Sequence, residues 1–179
     1  MALSVTNYRW QAPGIVASSG WLEAQNTAIT VSDESVLLLR FMMQGDGATT
    51  VMSKPATVQY SVDGGAFTGA GTDLAVRPAE NTADARFDGS STSRLTGGNG
   101  THVGTYIATV NTLGTASGLF TQNPYPANTY TECIWSCRLN AADFNGAGVV
   151  TFKIDNAGTM IVTPTINYSF PINRRIAII

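Results

Sequence analysis

The stretch Thr57-Val58-Gln59-Tyr60-Ser61-Val62-Asp63-Gly64-Gly65-Ala66-Phe67-Thr68 decides the fold class. Val58, Tyr60 and Val62 alternate with Thr57, Gln59 and Ser61, a period of two that puts the apolar side chains on one face of a strand. Asp63-Gly64-Gly65 then supplies residues that accept positive φ, as a tight hairpin turn requires. Ala66-Phe67-Thr68 starts the return. The segment predicts a β-hairpin.

The same period recurs on both sides. Leu37, Leu39, Phe41 and Met43 alternate with Leu38, Arg40, Met42 and Gln44, so this strand is apolar on nearly both faces and is expected to be central. Cys133, Trp135, Cys137 and Leu139 share one face; Glu132, Ile134, Ser136 and Arg138 share the other, which reads as solvent-facing or interfacial. Val150, Phe152 and Ile154 form another apolar face, and Asp155-Asn156-Ala157-Gly158 then turns the chain. Met160, Val162, Pro164, Ile166, Tyr168 and Phe170 make the last long alternation. Pro164 lacks a backbone donor, so an edge position or a bulge is expected there. Helical signals reduce to one turn at Asn140-Ala141-Ala142-Asp143-Phe144.

These readings predict one all-β domain over residues 1–171. Its expected architecture is an antiparallel β-sandwich, immunoglobulin-like or jelly-roll-like, of about seven to nine strands. A long irregular insertion covers about 89–128, with strand pieces expected between Val103 and Val110. Residues 172–179 hold four Ile. They are either the last strand of the domain or an arm that adds to a neighbour's sheet or groove. As an arm, its contacts would be Ile172, Arg174, Arg175, Ile176 and Ile178.

Composition narrows the function classes. Of 179 residues 12% are charged and 44% hydrophobic, the net charge is −2, and the chain holds 23 Thr and 18 Gly. Disorder driven by charge is excluded, as is a long-helix protein. No basic excess exists for binding nucleic acid through its phosphates. The start of the chain shows no secretory signal, and no apolar run approaches the ~18 residues of a membrane span. Assembly in a cytoplasm without a membrane is therefore expected. A surface poor in charge suits burial against other copies or partners.

Signs of chemistry are sparse. His102 is the only histidine, and its setting, Gly100-Thr101-His102-Val103-Gly104, reads as a strand leaving a loop. The 12 acids are mostly scattered singly among turn residues. Only Glu80, Asp84 and Asp88 cluster, as a weak Ca²⁺ site at best. Gly97-Gly98-Asn99-Gly100 lacks the Lys-Ser/Thr of a phosphate loop. Cys133 and Cys137 would lie about 13 Å apart on one strand, too far for a disulfide, and read as buried, inert thiols. Trp10, Trp21, Tyr125 and Tyr130 are either a sugar-binding platform or, for the tryptophans, core. No enzyme activity and no cofactor are expected.

Several segments together resemble a β-sandwich module of tailed-bacteriophage and prophage virion proteins. In order along the chain they are Tyr8-Arg9-Trp10, Trp21-Leu22-Glu23-Ala24-Gln25-Asn26-Thr27, Leu39-Arg40-Phe41, and Gln59 through Phe67. Ser93-Arg94-Leu95-Thr96-Gly97-Gly98, Tyr130-Thr131-Glu132 with Trp135, Phe152-Lys153-Ile154 and Val162-Thr163-Pro164-Thr165-Ile166 complete the set. The resemblance spans roughly residues 8 to 170. The chain departs from it at Gln11-Ala12-Pro13-Gly14, where the module carries an acidic Asn-Asp-Asp-Gly. The resemblance implies an immunoglobulin-like, non-catalytic virion component, above all a capsid decoration or cement protein present in many copies or as a homo-oligomer. Its partners would be other phage structural proteins of capsid or tail. The alternative is a tail-tip or fibre adhesin binding a host glycan or protein through Tyr125, Tyr130 and the 89–128 loops. A cell-wall hydrolase is the least supported class, for want of paired acids.

Overall fold

The structure is a computed structural model that describes residues 3–12, 20–45, 47–49, 56–69, 76–77, 104–107, 118–120, 125–141, 143–144, 146–156 and 158–171. Among the described residues all regular structure is β. The strands are β1 (Leu3–Gln11), β2 (Ile29–Val31), β3 (Leu37–Gly45), β4 (Ala56–Val62), β5 (Thr68–Gly69) and β6 (Val76–Arg77). They continue with β7 (Thr105–Tyr106), β8 (Gly118–Phe120), β9 (Thr129–Leu139), β10 (Ala147–Asp155), β11 (Thr159–Met160) and β12 (Thr165–Ser169). The count exceeds the expected seven to nine because short two- and three-residue ladders flank the six longer strands.

The strands form two sheets. The first has the order β11-β1-β3-β9-β6, with β7 also on β9; the second has the order β2-β12-β10-β4-β5, with β8 also on β4. Both sheets are mixed, which corrects the expectation of antiparallel pairing throughout. The cause is a repeated crossing. β1 lies in the first sheet and β2 in the second, and near the other end of the chain β11 and β12 make the same passage. The two passages run side by side, so β1 pairs parallel with β11 and β2 parallel with β12. β7 also pairs parallel with β9.

Pro164 sits in that crossing, neither on an edge strand nor in a bulge. The alternation from Met160 to Phe170 is split between the sheets, and the Pro164 carbonyl accepts from the Phe152 amide at 2.9 Å. A residue without an N–H is well placed just before a strand, where no ladder bond is lost. The single turn expected after β9 is present as a hydrogen-bonded turn, with the Asp143 N–H donating to the Asn140 carbonyl at 2.9 Å.

One core joins the sheets. β3 runs between β1 and β9, as its two apolar faces predict. Leu39 is flanked in register by Trp10 and Trp135. Phe152 of the second sheet meets both indoles edge-on, with ring centroids 5.6 Å from Trp10 and 5.7 Å from Trp135. All four side chains are buried. Edge-to-face contacts of this kind add to the area term that drives the sheets together. The hairpin read first forms as expected: Asp63 and Gly64 have φ of 48° and 76°, the signature of a type I′ turn between β4 and β5.

Candidate functional site

Several of the segments quoted above lie against one another, whereas residues 93–98 fall outside the described residues. Tyr8, Arg9 and Trp10 of β1 are the register partners of Phe41, Arg40 and Leu39 of β3. Leu39 in turn faces Trp135, and Met42 faces Glu132. In the second sheet Val58, Gln59 and Tyr60 face Ile154, Lys153 and Phe152. The Trp21–Thr27 segment latches onto β1. Asn26, at φ 57°, accepts the Tyr8 amide on its side chain at 2.8 Å, while its own amide donates to the Tyr8 carbonyl at 2.9 Å. Arg9 Nε donates to the Glu23 carbonyl at 2.8 Å, and its guanidinium lies 4.5 Å over the Trp21 ring. Trp21 is thus half-buried beneath a cation, and Trp10 is core.

The outward side of the first sheet is buried too. Gln11, Leu38, Arg40, Met42, Tyr130 and Glu132 are all 2% exposed or less. Arg40 Nη2 donates to Glu132 Oε2 at 3.3 Å, and both side chains are fully buried. The face holding Glu132 was expected to meet solvent or a partner; at Glu132 it meets a buried guanidinium instead. The signal was a lone Arg in an apolar run and a lone Glu on a neighbouring strand, residues that tolerate burial only when paired.

The outward side of the second sheet is open and polar. Thr57, Gln59, Thr151, Lys153, Thr165 and Asn167 are partly exposed along it. Lys153 Nζ lies 3.2 Å from Asp155 Oδ1 and donates to Gln59 Oε1 at 3.3 Å, and Gln59 Nε2 donates to Asp155 Oδ2 at 3.3 Å. The ammonium also sits 5.7 Å from the exposed Phe67 ring. The charges on this patch therefore answer each other. At the end of the sheet Asp63 accepts the Val149 amide at 2.7 Å and the Tyr168 hydroxyl at 3.1 Å. Burial, and then the Asp63 carboxylate, push the Tyr168 phenol above its ordinary range.

Tyr125 and Tyr130, expected as surface recognition rings, are 0% and 2% exposed, which does not suit a surface role. The Tyr125 hydroxyl donates to the Met43 carbonyl at 2.9 Å, and burial drives its phenol far above the usual range. Tyr130 stacks edge-on with Tyr106 at 5.6 Å. Both rings serve packing, Tyr130 from within β9 and Tyr125 against β3 through its bond to Met43. Cys133 and Cys137 are buried and free, and burial raises both thiols, Glu132 adding to the effect at Cys133. The arm residues Ile172, Arg174, Arg175, Ile176 and Ile178 lie outside the described residues, as do His102, Glu80, Asp84, Asp88 and most of 89–128. Among the described residues no group of three or more His, Cys, Asp or Glu is arranged to hold a metal ion.

No protein-family model matches the chain. Comparison with curated proteins finds no similar sequence.

Proposed function

We propose that the chain is a non-enzymatic structural protein of a tailed-bacteriophage particle, an immunoglobulin-like β-sandwich that decorates or cements the capsid. One observation carries the reading. Of the resembling segments, those on β1, β3 and β9 and those on β4 and β10 fall into register on neighbouring strands of each sheet, while residues 93–98 lie outside the described residues. A set that pairs with itself supports resemblance of a whole module rather than of scattered residues. The charge-poor composition and the self-matched Lys153–Asp155 patch agree with a protein that works by contact area. On this reading each copy bridges shell subunits, and weak contacts sum over the lattice. Residues 172–179 act as the docking arm. The adhesin alternative loses its two named rings to burial.

The test is to tag the chain and image labelled virions by electron microscopy. A regular lattice of label over the head supports decoration. Label at the tail tip or fibres replaces it with the adhesin reading, and unlabelled particles overturn both. Deleting residues 172–179 should abolish particle binding and leave the fold intact; a truncated chain that still binds removes the arm.

A further inference from the structure

We infer that the buried Arg40–Glu132 pair is the device that decides which face of β3 turns inward. Strand register is ordinarily set by hydrophobic alternation, since a one-residue slip sends every side chain to the opposite face. In β3 that signal is nearly absent. Leu37, Leu39, Phe41 and Met43 face the core, and the outward Leu38 and Met42 are as apolar and as buried. From Leu37 to Met43 the single polar side chain is Arg40. A one-residue slip one way would bring Val36, Leu38, Arg40 and Met42 inward; the other way it would bring Leu38, Arg40, Met42 and Gln44. Apart from Gln44 at the strand end, Arg40 is the polar residue this places inward, at the Phe41 or the Leu39 position beside the Trp10 and Trp135 layer.

The native facing is the one in which Arg40 reaches Glu132, 3.3 Å away on the neighbouring strand. The two are diagonal neighbours: Glu132 is directly opposite Met42, and Arg40 is opposite Ile134. Arg9 stands directly opposite Arg40 on the other side, with its guanidinium over Trp21 and its Nε on the Glu23 carbonyl. A buried ion pair is a poor source of net stability, because desolvation offsets its attraction, but removing one partner is costly. Such a pair therefore acts as a penalty on wrong pairings.

The experiment compares four full-length chains by amide NMR and hydrogen exchange. Arg40→Met and Glu132→Leu alone should each lower the folding equilibrium constant by about 10²- to 10³-fold, because a buried charge loses its partner. The double variant Arg40→Met/Glu132→Leu should fold with near-parental stability but show a second set of resonances over β3 and β9. Its cross-strand contacts should include Leu39 opposite residue 134 or 136 as well as Trp135. The reversed pair Arg40→Glu/Glu132→Arg should return to a single set. A double variant with one set and only the native Leu39–Trp135 pairing overturns the inference. So does a double variant that does not fold, which would make the pair a stability element, and so does a reversed pair that keeps two sets.

Discussion

Phe152 gives the most direct test of how the two sheets meet. Its ring is fully buried, it belongs to the second sheet, and it touches Trp10 and Trp135 of the first at 5.6 and 5.7 Å. Truncating a buried Phe to Ala costs about 3–5 kcal/mol through lost transfer energy and the cavity left behind. The two edge-on contacts add about 0.5–1.5 kcal/mol each. Phe152→Ala should therefore cost about 4–8 kcal/mol. In a chain of this length that lowers the melting temperature by roughly 8–32 °C, at about 2–4 °C per kcal/mol. Phe152→Leu keeps most of the volume and loses the ring contacts, so about 1–3 kcal/mol is expected. The assay is urea denaturation followed by tryptophan fluorescence. In Phe152→Leu the native emission should change, because both reporter indoles lose the same neighbour. A cost below 1 kcal/mol for Phe152→Ala, or native emission unchanged in both variants, would refute a core shared across the sheets at this point.

Asp63→Ala removes the acceptor for the Val149 amide and the Tyr168 hydroxyl and leaves Ala at φ 48°. Two hydrogen bonds and the left-handed backbone give a loss of about 2–4 kcal/mol by chemical denaturation, and Asp63→Asn should lose less. Gly148→Ala should destabilise the same corner, since a Cβ there meets the Tyr168 hydroxyl and the Asp63 carboxylate; a melting temperature equal to the parent's would contradict that packing. Cys133 and Cys137 should resist a thiol reagent until the chain unfolds, because both are buried and their thiols raised. A raised thiol stabilises fully below its unfolded value. Stability should therefore fall as pH climbs above about 8.5, by up to about 1.4 kcal/mol per pH unit for each thiol. Stability that is flat from pH 8 to 10 in the parent, or equal slopes in the parent and a Cys133→Ala/Cys137→Ala chain, would contradict it.

Elements whose side chains alternate cleanly were legible. The Val58–Phe67 hairpin and the inward face of β9 follow from a period of two, the central place of β3 follows from apolar residues on nearly both its faces, and turn chemistry marks the Asp63-Gly64 reversal. The parallel pairings were not legible, because period two says which face is inward and nothing about the direction of a neighbour. Pro164 shows the same limit. Its missing donor signals a break in the ladder, and an edge, a bulge and a crossing all satisfy that signal. Tyr125 and Tyr130 failed for another reason. Loop aromatics read as exposed recognition groups, but the Tyr125 hydroxyl has a backbone partner from β3, 82 residues away in sequence. Glu132 failed likewise, its partner Arg40 lying 92 residues upstream. Each charge stands out only as a lone ionic residue in its own strand, and nothing local says that the two pair.

The two outward sheet faces separate scaffold from contact surface. On the first sheet the outward side chains Gln11, Leu38, Arg40, Met42, Tyr130 and Glu132 are already withdrawn from water. A partner docking there would meet whatever covers them, and altering them would change folding before it changed binding. On the second sheet Thr57, Gln59, Thr151, Lys153, Thr165 and Asn167 keep solvent contact, and the Lys153–Asp155 pair leaves the strip without net charge. A partner meeting that strip would find hydroxyls, amides and the Phe67 ring rather than a field, so association there should depend little on salt. The buried first-sheet surface and the β4–β10 pairing are made of residues the fold itself needs, so specificity must come from side chains the scaffold leaves free. Substitutions meant to test a contact on this face therefore belong on Thr151, Thr165 and Asn167, where a lost contact can be read without a lost fold.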